Sequence, residues 1–182
     1  MGNIERKKAA DYFLYERGLL EELKKYGQPH IIGSYKMDMM AWNDLDIDIE
    51  NDNMSKEKLY GLTSYIIKNF EPTWYEAKEE MNEAGKRVWF QGFETMMSGQ
   101  LWNFDLWFFD KETISEAEAF CDDIIHKMGD SEELKDIITK MKEELIKRGM
   151  YSFEQYRSVD VYRAVLEQKI YNVDSFIENY KK

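Results

Sequence analysis

From Asp44 to Glu50 the chain reads Asp-Leu-Asp-Ile-Asp-Ile-Glu, acid and aliphatic in strict alternation. Period two is the spacing of a β-strand, whose successive side chains point to opposite faces. Leu45, Ile47 and Ile49 form one apolar face, directed into a core. Asp44, Asp46, Asp48 and Glu50 form the other, with neighbours such as Asp46 and Asp48 about 7 Å apart at the backbone. Carboxylates crowded on one face repel one another, so water or a cation must offset the charge.

The flanking sequence frames this strand. Ile4 to Lys25 carries helical spacing and is stopped by Gly27 and Pro29. A short apolar run, Ile31-Ile32, ends in Gly33-Ser34. Ser55 is a suitable N-cap for a helix through Phe70. Three strand-like pieces follow: Thr73–Ala77, Arg87–Met97 and Gln100–Phe109. Gly85 and Ser98-Gly99 punctuate them as turns. Beyond Asp110 the pattern turns helical, over about Ser115–Met128, Glu132–Arg148 after an N-cap at Ser131, Phe153–Lys169 and Val173–Tyr180. The expected fold is α/β (α+β). A mixed twisted sheet contains neighbouring strands near 30–33, 44–50 and 100–109, with helices against one face. A division is expected at residue 110: 1–110 forms a mixed α/β domain, and 111–182 a helical subdomain packed on it, because some 70 residues alone make a small core.

Asp105 lies inside Leu101-Trp102-Asn103-Phe104-Asp105-Leu106-Trp107-Phe108-Phe109. A carboxylate in so apolar a strand is costly unless solvated, paired or metal-bound. Beside the acidic strand it would complete a set of oxygen ligands of the kind Mg²⁺ takes. Two such ions about 3.5–4 Å apart suit an in-line phosphoryl-type displacement. The Gly33-Ser34 pair would let a phosphate approach backbone N–H groups, with the hydroxyl as a further donor. His30 and His126 lack metal-site spacing and read as structural. Cys121, beside Phe120 and near Ile124 on a helix, reads as a core thiol.

Taken together, Gly33-Ser34, eleven intervening residues, Asp46-Ile47-Asp48-Ile49 and a late Asp105 resemble the nucleotidyltransferase superfamily with the DNA polymerase β-type palm. In size the chain resembles the small bacterial lincosamide and aminoglycoside antibiotic nucleotidyltransferases. The resemblance spans about His30 to Phe109. It implies Asp46, Asp48 and Asp105 as catalytic and metal-binding residues, with two Mg²⁺. It implies Gly33 and Ser34 against the β/γ-phosphates of an NTP, ATP foremost. Asp44-Leu45-Asp46-Ile47 fits the pattern as well, but Asp46 and Asp48 are the preferred pair, because family members often carry an extra polar or acidic residue two places before it, and Asp44 then stands behind the ligands. The segment Tyr35–Asn43 is more apolar than the family pattern, which leaves Lys36, Lys86 and Arg87 as the expected cationic contacts to the triphosphate.

Charge shapes the expectation about partners. Lys plus Arg number 25 and Asp plus Glu number 36, a formal net charge of −11. That argues against non-specific nucleic-acid binding, which needs a basic footprint. The expected acceptor is therefore a hydroxyl of a small molecule, with an aminated antibiotic suiting an acidic protein, and no nucleic acid. Two alternatives stay open: a non-catalytic acidic interaction module of the same fold, and transfer to a protein hydroxyl. A single cysteine and no run of about 18 apolar residues point to a reducing cytoplasm and no membrane span. The oligomeric state is left open.

Overall fold

The computed structural model describes residues 2–82 and 85–180. The elements run α1 (Asn3–Asp11), a π-helical turn (Tyr12–Glu16), α2 (Leu19–Leu23), β1 (Gln28–Ile31), α3 (Gly33–Lys36), β2 (Asp44–Glu50) and α4 (Lys56–Phe70). Next come β3 (Trp74–Met81), β4 (Arg87–Met97), β5 (Gln100–Phe109), α5 (Lys111–Met128), α6 (Glu132–Lys147), α7 (Ser158–Leu166) and α8 (Val173–Asn179).

One five-stranded mixed sheet has the order β1-β2-β5-β4-β3. After β2 the chain crosses through α4 to the far edge and returns inward by two hairpins, so β5 lands parallel to β2 while the other pairs are antiparallel. The β4–β5 hairpin turns on Ser98 and Gly99, at φ 51° and 74°. Two successive positive φ values suit the right-handed twist of the flanking strands. The expected adjacency of the three site strands is therefore present. Register makes it useful: Asp44 faces Asn103, Asp46 faces Asp105 and Asp48 faces Trp107.

The two faces of β2 divide as the alternation requires. Leu45, Ile47 and Ile49 are fully buried. They join Leu59, Leu62, Ile66 and Phe70 of α4 and Phe93, Phe104 and Phe108 of the sheet in one core. Phe93 and Phe104 stack across the β4–β5 pair with centroids 4.3 Å apart, worth about 0.5–1.5 kcal/mol beyond the area they bury. A second core gathers Cys121, Ile124, Ile138, Met141, Leu145, Val165 and Phe176 from α5 to α8.

Several local readings change. The expected helix over 4–25 breaks at Gly18, whose left-handed φ of 74° ends one helix and starts the next. The π-turn before it buries two sequence neighbours, Phe13 and Leu14, which a regular helix face would separate. The helix expected from Phe153 starts only at Ser158, because residues 151–156 close a turn through a Tyr151–Tyr156 bridge. The apolar stretch 35–43 finds its reason in packing. Met37 and Met39 belong to the second core and Met40 to the first. This segment is the seam between the two cores and had to be apolar on both sides.

Candidate active site

Between the acidic face of the sheet and helices α5 to α7 lies a cleft of about 710 Å³. Its floor holds Asp44, Asp46 and Asp105, each offering a carboxylate oxygen within 4.8 Å of the others. Asp46 and Asp105 meet because parallel pairing sets them opposite each other. Asp44 sits one alternation earlier, where the Asn103 amide donates to its Oδ1 at 2.8 Å.

Burial raises all three carboxyls, and repulsion from neighbouring acids adds to it at Asp44 and Asp46. Asp46 is pushed up to about 6, by burial and then by the Asp105 charge, with Lys142 acting the other way. Asp44 is pushed well above the usual carboxylate range by burial and by Asp46. Asp105 is raised by burial and eased by Asn103 and Lys78. Three adjacent acids held above their ordinary values are a set that a positive ion would stabilise. An all-carboxylate donor set suits a hard divalent cation such as Mg²⁺.

Gly33 closes the floor from the β1 side. It opens α3 at φ +65°, and a Cβ on it would overlap Asp46 Oδ2. The backbone N–H of Ile32 donates to the Asp46 carbonyl at 3.1 Å, which locks this turn to the acidic strand. Ser34 is buried beside it and also lines the cleft. Glycine is required here twice over, for its backbone conformation and for its missing side chain.

The expected pair Asp46 and Asp48 is not the pair the fold brings against Asp105. Asp48 lies one alternation further on, opposite Trp107 on β5 and His30 on β1. It is 3% exposed and pushed up to about 7 by burial, then by Asp46 and Glu118. His30 Nδ1 is 2.9 Å from Glu118 Oε1, so α5 covers this end of the strand. The register that Asp44 allows is the one the geometry favours.

None of the three expected phosphate cations lines the cleft. Lys36 pairs with Asp122 of α5 at 2.8 Å. Lys86 pairs with Asp110 at 2.7 Å and Arg87 with Glu79 at 2.8 Å, both at the margin of the β3–β4 hairpin. A different cation stands in the cleft wall. Lys142 of α6 is 1% exposed, and its Nζ donates to the Met39 carbonyl at 3.2 Å and to the Tyr162 hydroxyl at 3.4 Å. Burial lowers its pKa, while Tyr151, Asp46 and Asp44 pull it back up. Tyr151 and Ser158, hydrogen-bonded hydroxyl to hydroxyl, line the same wall with Tyr162 and the exposed Arg157. Sequence reading missed this group because Lys142 is one of many lysines on an amphipathic helix. The one available signal was its place on the apolar stripe with Ile138, Met141 and Leu145.

No protein-family model matches the sequence, and no curated protein matches it. Solved structures do. A mutant of the Cid1 poly(U) polymerase bound to MgATP aligns at a TM-score of 0.59 and 16% identity, over 92% of this chain and 50% of that one. A Cid1 structure described for its RNA terminal uridylyl transferase activity aligns at 0.53 and 16%, over 91% and 47%. The non-canonical poly(A) polymerase complex GLD-2–GLD-3 aligns at 0.50 and 13%, over 90% and 51%. The chain thus spans about half the length of these structures. Its fold is the nucleotidyltransferase fold: a mixed five-stranded sheet flanked by helices, with the aspartates on two adjacent parallel strands. These matches correct the expectation about partners. The structures it resembles are poly(U) and poly(A) polymerases rather than antibiotic transferases, so a small-molecule acceptor and the exclusion of nucleic acid are both withdrawn. Among the described residues no helix is long and apolar enough to cross a membrane.

Proposed function

We propose that this chain is a metal-dependent nucleotidyltransferase that moves a nucleoside monophosphate from an NTP, ATP foremost, to the terminal hydroxyl of an RNA. The observation that carries the reading is the convergence of Asp44, Asp46 and Asp105 on one point of the cleft floor beside Gly33. A non-catalytic module has no need of three acids held together against their own repulsion.

Asp44, Asp46 and Asp105 would hold Mg²⁺, and the two-ion arrangement is part of the proposal. When bound, the metal neutralises phosphate charge and acidifies the acceptor hydroxyl. Asp105, opposite Gly92 on β4, would take the acceptor proton. The acceptor oxygen attacks the α-phosphorus and the bond to the β-phosphate oxygen breaks, so pyrophosphate leaves. Gly33 and Ser34 give the triphosphate close backbone approach, while Lys142 and the Tyr151, Ser158 and Tyr162 hydroxyls face it from the helical wall. Lys36, Lys86 and Arg87 have no direct part, because each is ion-paired outside the cleft. The poly(U) and poly(A) polymerase neighbours support an RNA acceptor. The test is incubation with Mg²⁺, an α-labelled NTP and a short RNA. Labelled, lengthened RNA with release of pyrophosphate is expected, and label that never enters RNA contradicts the acceptor.

A further inference from the structure

Helices α5 to α7 close over the aspartates themselves, and the face continues beyond Asp105 onto β5, β4 and β3. Register identifies what stands on the remainder. Trp107 and Phe109 follow Asp105 on β5, Phe90 faces Trp107 from β4, and Lys78 and Trp74 lie on the same side of β3. The rings touch in sequence. Phe90 and Trp107 have centroids 4.6 Å apart, Trp107 and Phe109 stack at 5.4 Å with planes 5° apart, and the Lys78 ammonium sits 5.0 Å above Phe90. Between them Gly92 sits directly opposite Asp105, and a Cβ there would run into the Phe90 ring and reach Trp74. The result is a ring cluster beside Asp105 in which Phe90 is buried, Trp107 and Phe109 are half-buried and Trp74 is exposed. Trp74, Met96 and Leu101 at its rim are 44%, 52% and 47% exposed.

We infer that this face is a stacking platform for the unpaired terminal bases of the RNA acceptor. The inference rests on the nucleotidyl-transfer reading and adds where, and by what force, the acceptor is held. Trp107 lies about 7 Å along the strand from Asp105, so a hydroxyl delivered to Asp105 leaves its own or the preceding base over the Trp107 ring. Charge selects the mode of binding. Among the described residues of this face the one basic side chain is Lys78, held between Glu76 at 3.6 Å and Glu80 at 3.5 Å. Glu76, Glu80 and Glu94 share the face with Lys78, so its described residues offer no cationic track for phosphates. Stacking has to carry the affinity, and every base offers a π-face for it.

The test is fluorescence anisotropy of the full chain with 5′-labelled single-stranded oligo(A) and oligo(U) RNA, without NTP. Trp107→Leu should weaken binding by roughly 5- to 150-fold, the range for loss of one stacked base. Trp107→Phe should hold within about threefold, and MgATP affinity should be unchanged in both. Plotted as log affinity against log salt, the slope should be shallower than about −1, since each neutralised phosphate contributes about −0.7. Wild-type chain that binds neither oligonucleotide, equal affinity for wild type and Trp107→Leu, or a steep salt slope would overturn the platform. So would self-association through this face that Trp107→Leu abolishes while RNA binding stays unchanged. MgATP binding and label transfer that persist alongside such a result leave the nucleotidyl-transfer reading standing, whereas loss of MgATP binding in the wild type rejects that reading itself. If Trp107→Leu does not fold, Trp74→Leu at the exposed rim carries the same test.

Discussion

The two walls of the cleft are built on opposite electrostatic terms. The sheet wall gathers three carboxylates on paired parallel strands, all raised by burial and two of them, Asp44 and Asp46, by their acidic neighbours as well. The helical wall sets a buried ammonium, an exposed guanidinium and three hydroxyls against them. Neither wall is satisfied alone. Repulsion on the sheet side invites a cation, and the lysine on the helical side, buried without a carboxylate bonded to it, invites an anion. A metal-bound triphosphate carries both charges, so one ligand relieves both walls. On the proposed reading, the site is a place where the fold gives up stability that bound substrate would restore.

If that contrast is right, the acids should separate sharply along β2. Asp44→Asn should cut transfer by roughly 10²-fold or more, on the scale of losing a catalytic or metal-binding acid. Asp48→Asn, one alternation beyond the cluster, should leave turnover within about threefold and raise the melting temperature by relieving a buried acid. Steady-state kinetics and thermal unfolding on the two variants read this directly. Equal losses in both would merge the two positions again.

The helical wall should fail in a different way. Lys142→Met removes the ammonium at nearly constant volume. KM for MgATP should rise about 10- to 100-fold while the melting temperature does not fall, because an unpaired buried charge is lost with it. A fall in stability with unchanged KM would make Lys142 a structural residue. Gly33→Ala probes the seam between the walls. Its left-handed backbone alone costs about 1–2 kcal/mol for a side-chain-bearing residue, and displacement of Asp46 adds to that. Denaturant unfolding should show the loss, and MgATP affinity should fall with it.

The smallest effect is one of pH. In the metal-free protein Asp44, Asp46, Asp48 and Asp105 all sit above their ordinary values, with Asp46 at about 6 and Asp48 at about 7. Between about pH 4 and 7 the folded chain therefore holds more protons than the unfolded one, and this contribution to stability is lost as pH rises. Metal requires the ionised acids. Stabilisation by Mg²⁺ should accordingly be greater near pH 8 than near pH 6 in paired thermal melts. A larger Mg²⁺ effect at the acidic end would remove these carboxylates from the metal site.

How much could be read beforehand differs between the same two walls. Strict alternation over residues 44–50 defined one buried and one acidic face, and both are present. A lone acid in an apolar strand singled out Asp105. The preference for Asp48 over Asp44 leaned on an extra acid ahead of the family's pair, whereas period two places both on the same face and only the inter-strand register and packing bring Asp44, not Asp48, against Asp105. Lys142 was beyond reach for another reason: its neighbourhood is made by Met39, 103 residues earlier, and Tyr162, 20 residues later. Lys36, Lys86 and Arg87 looked available because their partners Asp122, Asp110 and Glu79 are brought to them by folding. The net charge of −11 pointed away from nucleic acid, whereas the solved structures that the fold resembles are poly(U) and poly(A) polymerases; net charge speaks only to electrostatic attraction.

The measurement closest to the central claim is Mg²⁺-dependent pyrophosphate release by Asp105→Asn, made beside its melting temperature and MgATP affinity. The amide is nearly isosteric, so the fold should persist and MgATP binding should be largely retained through Asp44, Asp46, Gly33 and Lys142. Transfer should fall by at least roughly 10²–10⁴, the usual worth of a general base. Turnover near that of the wild type, in a chain that still binds MgATP, would contradict the assignment of this cleft as the site of nucleotidyl transfer.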